Sequence, residues 1–172
     1  MNINAFYLMI GAILGAVFLF FKPLKVDLAS PEELAQIELN RFVVHEVNES
    51  GVKTILAGSY AQRFADRYEV SDLNLTDRSD KHIENMTAKR GVYREPMVYL
   101  QDDVNYRRDD GIRFETDSVD YNQTSGRMST DGAFVLKRGE DRFKGNDLVY
   151  NTKRGTISAK QIEGIYILKD SM

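Results

Sequence analysis

The side chains that could do chemistry in this sequence are few, and their spacing suits little of it. The two histidines, His45 and His82, lie far apart in different local contexts. No His-Glu-x-x-His, Gly-x-Ser-x-Gly or glycine-rich phosphate loop with a lysine occurs. The absence of cysteine excludes disulfides and thiolate metal sites. Two acidic pairs remain, Asp102-Asp103 and Asp109-Asp110. Neighbouring carboxylates can hold a cation or divide acid–base work. Asp109-Asp110-Gly111, however, has the composition of a hairpin turn, and Asp103 falls on the solvent side of an alternating run. Asp102 alone shares a face with apolar residues. His45, following Phe42-Val43-Val44, ends a strand. The reading is a binding or bridging module, not an enzyme, with no catalytic residue, metal or cofactor. A hydrolase built around Asp102 is the weakest alternative.

Charge narrows the partners. The chain carries 23 Lys and Arg against 26 Asp and Glu, for a net charge of −3. A nucleic-acid footprint needs a clustered basic surface, so no nucleic-acid partner is expected. All of these charges lie beyond residue 21. Before them, Ala5 to Phe21 is the one long uncharged apolar run. Its ten large apolar residues favour membrane insertion by about 3 to 6 kcal/mol, at roughly −0.3 to −0.6 each. As a helix the run reaches roughly 26 Å, near the lower limit for crossing a bilayer. A cleaved secretory signal would begin basic and end in small residues. Met1-Asn2-Ile3-Asn4 before this run carries no Lys or Arg, and Phe18-Leu19-Phe20-Phe21-Lys22-Pro23 at its end offers no small-residue cleavage site, so it reads as an uncleaved anchor. Gly11 and Gly15 form a G-x-x-x-G face on which another membrane helix can pack closely. Lys22 and Lys25 alone would place the following domain in the cytoplasm, though long domains cross largely regardless of charge.

The anchor (1–21) and a linker (22–35) lead to a domain (36–172) that is strand-like nearly throughout. Ser30-Pro31-Glu32-Glu33 suits a short capped helix of a turn or two. Thereafter apolar residues alternate. Val98, Leu100, Asp102, Val104 and Tyr106 form one set, Met128, Thr130, Gly132, Phe134 and Leu136 a second, and Ile162, Gly164, Tyr166 and Leu168 a third. Period two puts each set on one face of a strand. Between such runs lie Asn48-Glu49-Ser50-Gly51, Asp109-Asp110-Gly111, Thr124-Ser125-Gly126, Lys137-Arg138-Gly139 and Lys153-Arg154-Gly155. Polar residues followed by glycine supply the positive φ of tight hairpins. The fold class is all-β and antiparallel.

The sequence also repeats. Arg113-Phe114 returns as Arg142-Phe143, Tyr121-Asn122 as Tyr150-Asn151, Gly126 as Gly155 and Ser129 as Ser158, all at a spacing of 29 residues. A weaker copy runs from Ala88 through Tyr93 to Val104. A repeat of this length is a hairpin-sized unit stacked on copies of itself. Each unit reads as strand, Tyr-Asn-x-x-x-Gly turn, strand.

An anchor, a linker and repeated hairpins with such turns resemble LptC, the bitopic periplasmic subunit family of the lipopolysaccharide export machine. The resemblance runs from the anchor through Leu168. It is carried by Phe42 to Gly58 around Glu49-Ser50-Gly51, by Ala88-Lys89-x-Gly-x-Tyr93, and by Phe114 to Phe134. Asp102-Asp103-Val104 departs from the Gly-x-Val step common in such proteins, which bears on backbone geometry there. The resemblance implies an open antiparallel jelly roll with an apolar groove, and a domain in the periplasm with the anchor in the inner membrane. It implies lipopolysaccharide as cargo, an inner-membrane ABC transporter packed against the Gly11/Gly15 face, and a soluble jelly-roll bridge protein as acceptor. Groove-lining candidates are Val104, Tyr106, Phe114, Met128, Phe134 and Leu136, with Tyr60 and Ile112. The acceptor is assigned to the C-terminal edge, Ile162, Gly164, Ile165, Tyr166 and Leu168, and the membrane complex to a first strand near Ile37 to Val47. A membrane-anchored β-scaffold with a filled core and no lipid cargo is the alternative.

Overall fold

Alternating apolar residues broken by glycine turns are satisfied by hairpins, and hairpins make nearly the whole described chain. A computed structural model describes residues 34–49, 51–79 and 81–167. These fall in one unit bounded by Pro31 and Met172. The anchor run, the Ser30 cap and Leu168 lie outside the described residues.

Ten strands follow one another: β1 (Ile37–Asn48), β2 (Gly51–Arg63), β3 (Tyr68–Asp77), β4 (Glu84–Arg94), β5 (Met97–Arg108), β6 (Ile112–Asn122), β7 (Arg127–Ser129), β8 (Ala133–Arg138), β9 (Asp141–Asn151) and β10 (Thr156–Ile165). Consecutive strands pair antiparallel, except β7 with β8, from β1 at one edge to β10 at the other. β7 and β8 are two halves of one strand position, since both pair with β6 and with β9. The run Met128 to Leu136 therefore breaks at Thr130-Asp131-Gly132, where Gly132 takes φ +88°.

All five glycine turns stand where the sequence puts them. The two repeat copies bond alike. In the first turn the Ser125 N–H donates to Asn122 Oδ1 at 2.8 Å, and the Gly126 N–H to the Asn122 carbonyl at 2.9 Å. In the second the Arg154 N–H donates to Asn151 Oδ1 at 2.9 Å, and the Gly155 N–H to the Asn151 carbonyl at 2.8 Å. Asn is needed because its amide oxygen replaces a backbone acceptor, and Gly because φ is +67° and +64°.

A line of irregularity crosses the sheet through the middle of its strands. Arg41, Asp72, Asp102, Asp103, Asp147 and Gln161 all take φ between +48° and +63°. Register shifts interrupt the β4–β5, β5–β6 and β9–β10 ladders there. Bulges of this kind bend strands and re-aim side chains, so the sheet creases along this line. Asp102 is the correction to the alternation. Positive φ at both Asp102 and Asp103 turns it off the apolar face, and its carboxylate lies 3.2 Å from Arg90 Nε in solvent. The bulge gives β5 one extra residue relative to β4 and β6, which keeps Val104 and Tyr106 on the face of Val98 and Leu100.

The buried core follows the crease. Ala88, Leu100, Val104, Phe114, Val119, Phe134 and Leu148 form one buried cluster, with Val104 at 1% exposure. Val98, Tyr106, Met86, Met128, Leu136 and Tyr150 pack against it further out and are only half-buried. Toward the edges the apolar residues are exposed, as at Val43, Val44, Ile157 and Ile162.

Candidate lipid trough and sheet edges

Register rows show how the inner face is assembled. On one side of the crease, Leu56, Leu75, Met86, Tyr106, Phe114, Leu136 and Phe143 stand opposite one another from β2 to β9. On the other side, Tyr68, Tyr93, Val98, Tyr121, Met128, Tyr150 and Ile157 do the same from β3 to β10. The repeated tyrosines, Tyr93, Tyr121 and Tyr150, thus share one row. The two rows flank the buried cluster at the crease and with it form a candidate trough, one wall reaching from β2 to β9 and the other from β3 to β10. Among the described residues, only ladder neighbours bring Cα atoms within 8 Å of each other.

Rings are laid across glycines on this face. Phe42 lies over Gly58, Phe134 over Gly145 and Phe143 over Gly164, each on the paired strand. A β-carbon at any of the three glycines would occupy ring volume. Phe114 and Phe134 stack with centroids 5.9 Å apart.

The groove candidates divide by depth. Val104, Phe114 and Phe134 are floor, buried at 1%, 7% and 4%. Tyr106, Met128 and Leu136 are wall, packed against that floor. Ile112 pairs with Arg138 near the rim, on the side of Phe114. Tyr60 is on the other face. It pairs with Ser71 in the row of Arg90 and Gln101, and it interacts with Glu38 and Gln62. The strand changes parity at the crease between Gly58 and Ala61, a shift that simple alternation does not carry.

The rim near the β5–β6 turn is polar and tied. Arg108 donates through Nε and Nη2 to both oxygens of Asp110, each at 2.9 Å, which holds that carboxyl down to about 2. Burial, followed by the nearby Glu84 charge, raises the Tyr106 phenol well above its ordinary 10.0. His82 Nδ1 lies 2.8 Å from Asp109 Oδ1, and the Ile83 N–H donates to Asp109 Oδ2. Two shallow clefts of about 270 and 210 Å³ lie along the crease beside Asp103. Asp72, Lys89, Glu115 and Asp117 among their linings make them too polar for a lipid path. No group of three or more His, Asp or Glu among the described residues is arranged to hold a metal ion.

Both edge strands expose apolar side chains and have one ladder partner each among the described residues. β1 exposes Ile37, Leu39, Val43, Val44 and Val47, and the β10 end exposes Ile157, Ile162, Ile165 and Tyr166. Gly164 faces Phe143 on β9.

This chain matches the family described as lipopolysaccharide-assembly, LptC-related, over residues 8–166. It belongs to that family. Among solved structures it is similar to LptH from Pseudomonas aeruginosa, described as the LptA-homologous periplasmic component of the lipopolysaccharide transport device. The two share 13% identity and a TM-score of 0.50, over 81% of this chain and all of the other. That likeness concerns the fold, an antiparallel jelly roll. No curated protein matches. In this LptC-related chain the candidates read from the sequence include Val104, Phe114 and Phe134 in the buried cluster and Tyr106, Met128 and Leu136 packed against it. They missed the tyrosine row, although the spacing of 29 residues between Tyr121 and Tyr150 already marked it.

Proposed function

We propose that this LptC-related chain is a lipopolysaccharide-binding bridge component, receiving cargo from an inner-membrane ABC transporter and passing it to a soluble jelly-roll protein. One observation carries the reading: two apolar rows flank a buried crease across β2 to β10, and the strands at either edge expose apolar side chains. Each acyl methylene sheltered there gains about 0.8 kcal/mol. A graded floor and walls offer a row of similar sites instead of one deep trap, so cargo pushed from behind advances. Unpaired strand donors and acceptors at β1 and β10 suit strand addition by neighbouring jelly rolls, which would continue the trough. β1 faces the membrane complex and the segment from Ile162 through Leu168 faces the soluble acceptor. Residues 1–21 cross the inner membrane, with Gly11 and Gly15 packed on transporter helices, residues 22–35 form the linker and the domain of 36–172 is periplasmic.

The buried cluster around Val104 also favours a second reading, a tethered scaffold whose interior holds only its own side chains. Photocrosslinking separates the two. A benzophenone residue at Met128 or Leu136 labels lipopolysaccharide during active export, whereas the same probe at outward Tyr60 does not. Equal labelling at all three positions, or none at the inner two, selects the scaffold.

A further inference from the structure

One row on the outer face carries four cations on consecutive strand positions. Arg107 on β5 stands opposite Arg113 on β6, Arg113 opposite Lys137 on β8, and Lys137 opposite Arg142 on β9. Each follows or precedes an inner-face residue, Tyr106, Phe114, Leu136 or Phe143, so all four point outward. Strands lie about 4.8 Å apart, which makes the row roughly 14 Å long. Like charges directly opposite each other destabilise a strand pair, yet three such pairings occur side by side in a chain of net charge −3. Lys137 has Glu115 at 3.1 Å. Arg107, Arg113 and Arg142 are exposed and make no ion pair among the described residues. Several cations elsewhere on the sheet are matched, as Arg67 with Glu69, Arg94 with Asp66 and Lys160 with Asp147, and ones without an ion pair among the described residues, such as Arg127, Lys144 and Arg154, do not stand in a row of four. An uncompensated row of this kind is complementary to an array of anions.

We propose that this row docks on anionic phospholipid headgroups, laying the outer face of the sheet against the bilayer that the N-terminal run enters. The inference rests on the tethered reading above and not on the trough. Guanidinium forks fit phosphate oxygens through two hydrogen bonds each. The row contains no aromatic residue, as the centre of a protein interface usually would. Residues 22–36, fully extended, reach about 50 Å, more than the roughly 36 Å length of an eleven-residue strand. The tether makes docking intramolecular, so weak contacts suffice.

The test uses the full chain in lipid nanodiscs. The chain has no cysteine, so Glu140→Cys in the β8–β9 turn takes a single fluorophore, with an acceptor dye on the lipid headgroups. Energy transfer rises when phosphatidylglycerol replaces part of the phosphatidylcholine, and the rise is lost in high salt. It is lost in the triple variant R107Q/R113Q/R142Q and kept in R107K/R113K/R142K. The glutamine variant melts no lower than the parent, because removing opposed like charges relieves repulsion. Transfer indifferent to phosphatidylglycerol, or unchanged in the glutamine variant, overturns the proposal; so does equal loss in the charge-matched control R127Q/K153Q/R154Q. An acidic protein partner would give the first of those results. A chain that fails to enter the disc overturns the anchor and the bilayer's access to the row together. Insertion without lipid-dependent approach overturns the row alone.

Discussion

Single carboxylates at the rim set how this domain responds to acid. Two hydrogen bonds from Arg108 stabilise the charged form of Asp110 and hold it at about 2, against an ordinary 3.8. Asp109 is lowered by the Ile83 N–H and then by His82, Asp77 by Ser79, and Asp147 by the Gly132 N–H and Lys160. Each folded-state value lies below the unfolded one, so each contributes stability that is complete above the unfolded value and is lost as pH falls toward the folded one. The melting temperature should hold above about pH 5 and fall between roughly pH 4 and 2. Asp110→Asn should shallow that acid limb while lowering stability at neutral pH, both read from calorimetric scans; an identical limb would remove Asp110 from the account. Apolar residues at the floor obey a different rule. Val104 is 1% exposed and Ile162 61%. Val104→Ala should cost about 1 to 3 kcal/mol in denaturant unfolding, and Ile162→Ala less than about 0.5.

Among the elements, the edge strands carry the sharpest expectation. Ile165 is the last paired residue of β10 and Tyr166 lies just beyond it, 66% exposed. Proline at either position removes a backbone donor and stiffens the edge without touching the floor. Pull-down of the soluble bridge protein should be abolished while the far-ultraviolet circular dichroism and melting stay near the parent's, and undiminished capture would move the acceptor to another edge. Why these elements were readable is itself physical. Glycine after polar residues marks five hairpins because only glycine enters positive φ cheaply, and the Asn122 and Asn151 turns repeat the same hydrogen bonds. Three connections lack that mark: Phe64 to Arg67, Arg78 to Ile83, and Glu95 to Met97. They were absent from the sequence reading for that reason. The crease left a fainter trace. Four of its six positive-φ residues are aspartates, a residue type that tolerates the left-handed region. An aspartate inside an alternating apolar run, Asp102, therefore signals a bulge, whereas β2 changes parity between Gly58 and Ala61 with no such residue to mark it, and Tyr60 falls on the outer face.

For the molecule as a whole, the crease converts one long meander into a trough with a packed floor and exposed ends, and stability must be distributed accordingly. Backbone amides of β4, β5, β6, β8 and β9 near the floor have buried neighbours, whereas β1 and β10 have one ladder partner each and exposed apolar side chains. Local opening follows buried contacts and protection of backbone hydrogen bonds. Hydrogen exchange should be slowest around Val104, Val119 and Leu148 and fastest along Ile37–Asn48 and Thr156–Ile165. Adding lipopolysaccharide below its aggregation threshold should then slow exchange selectively along the two walls, at Tyr93, Val98, Tyr106, Tyr121, Leu136 and Tyr150. The floor, already closed, should change little. A filled scaffold predicts no lipid-dependent change on either wall. A change confined to the outer row of Arg107, Arg113 and Arg142 would mean that the glycolipid is met by its phosphates on the wrong side of the sheet, and the conduit would have to be abandoned.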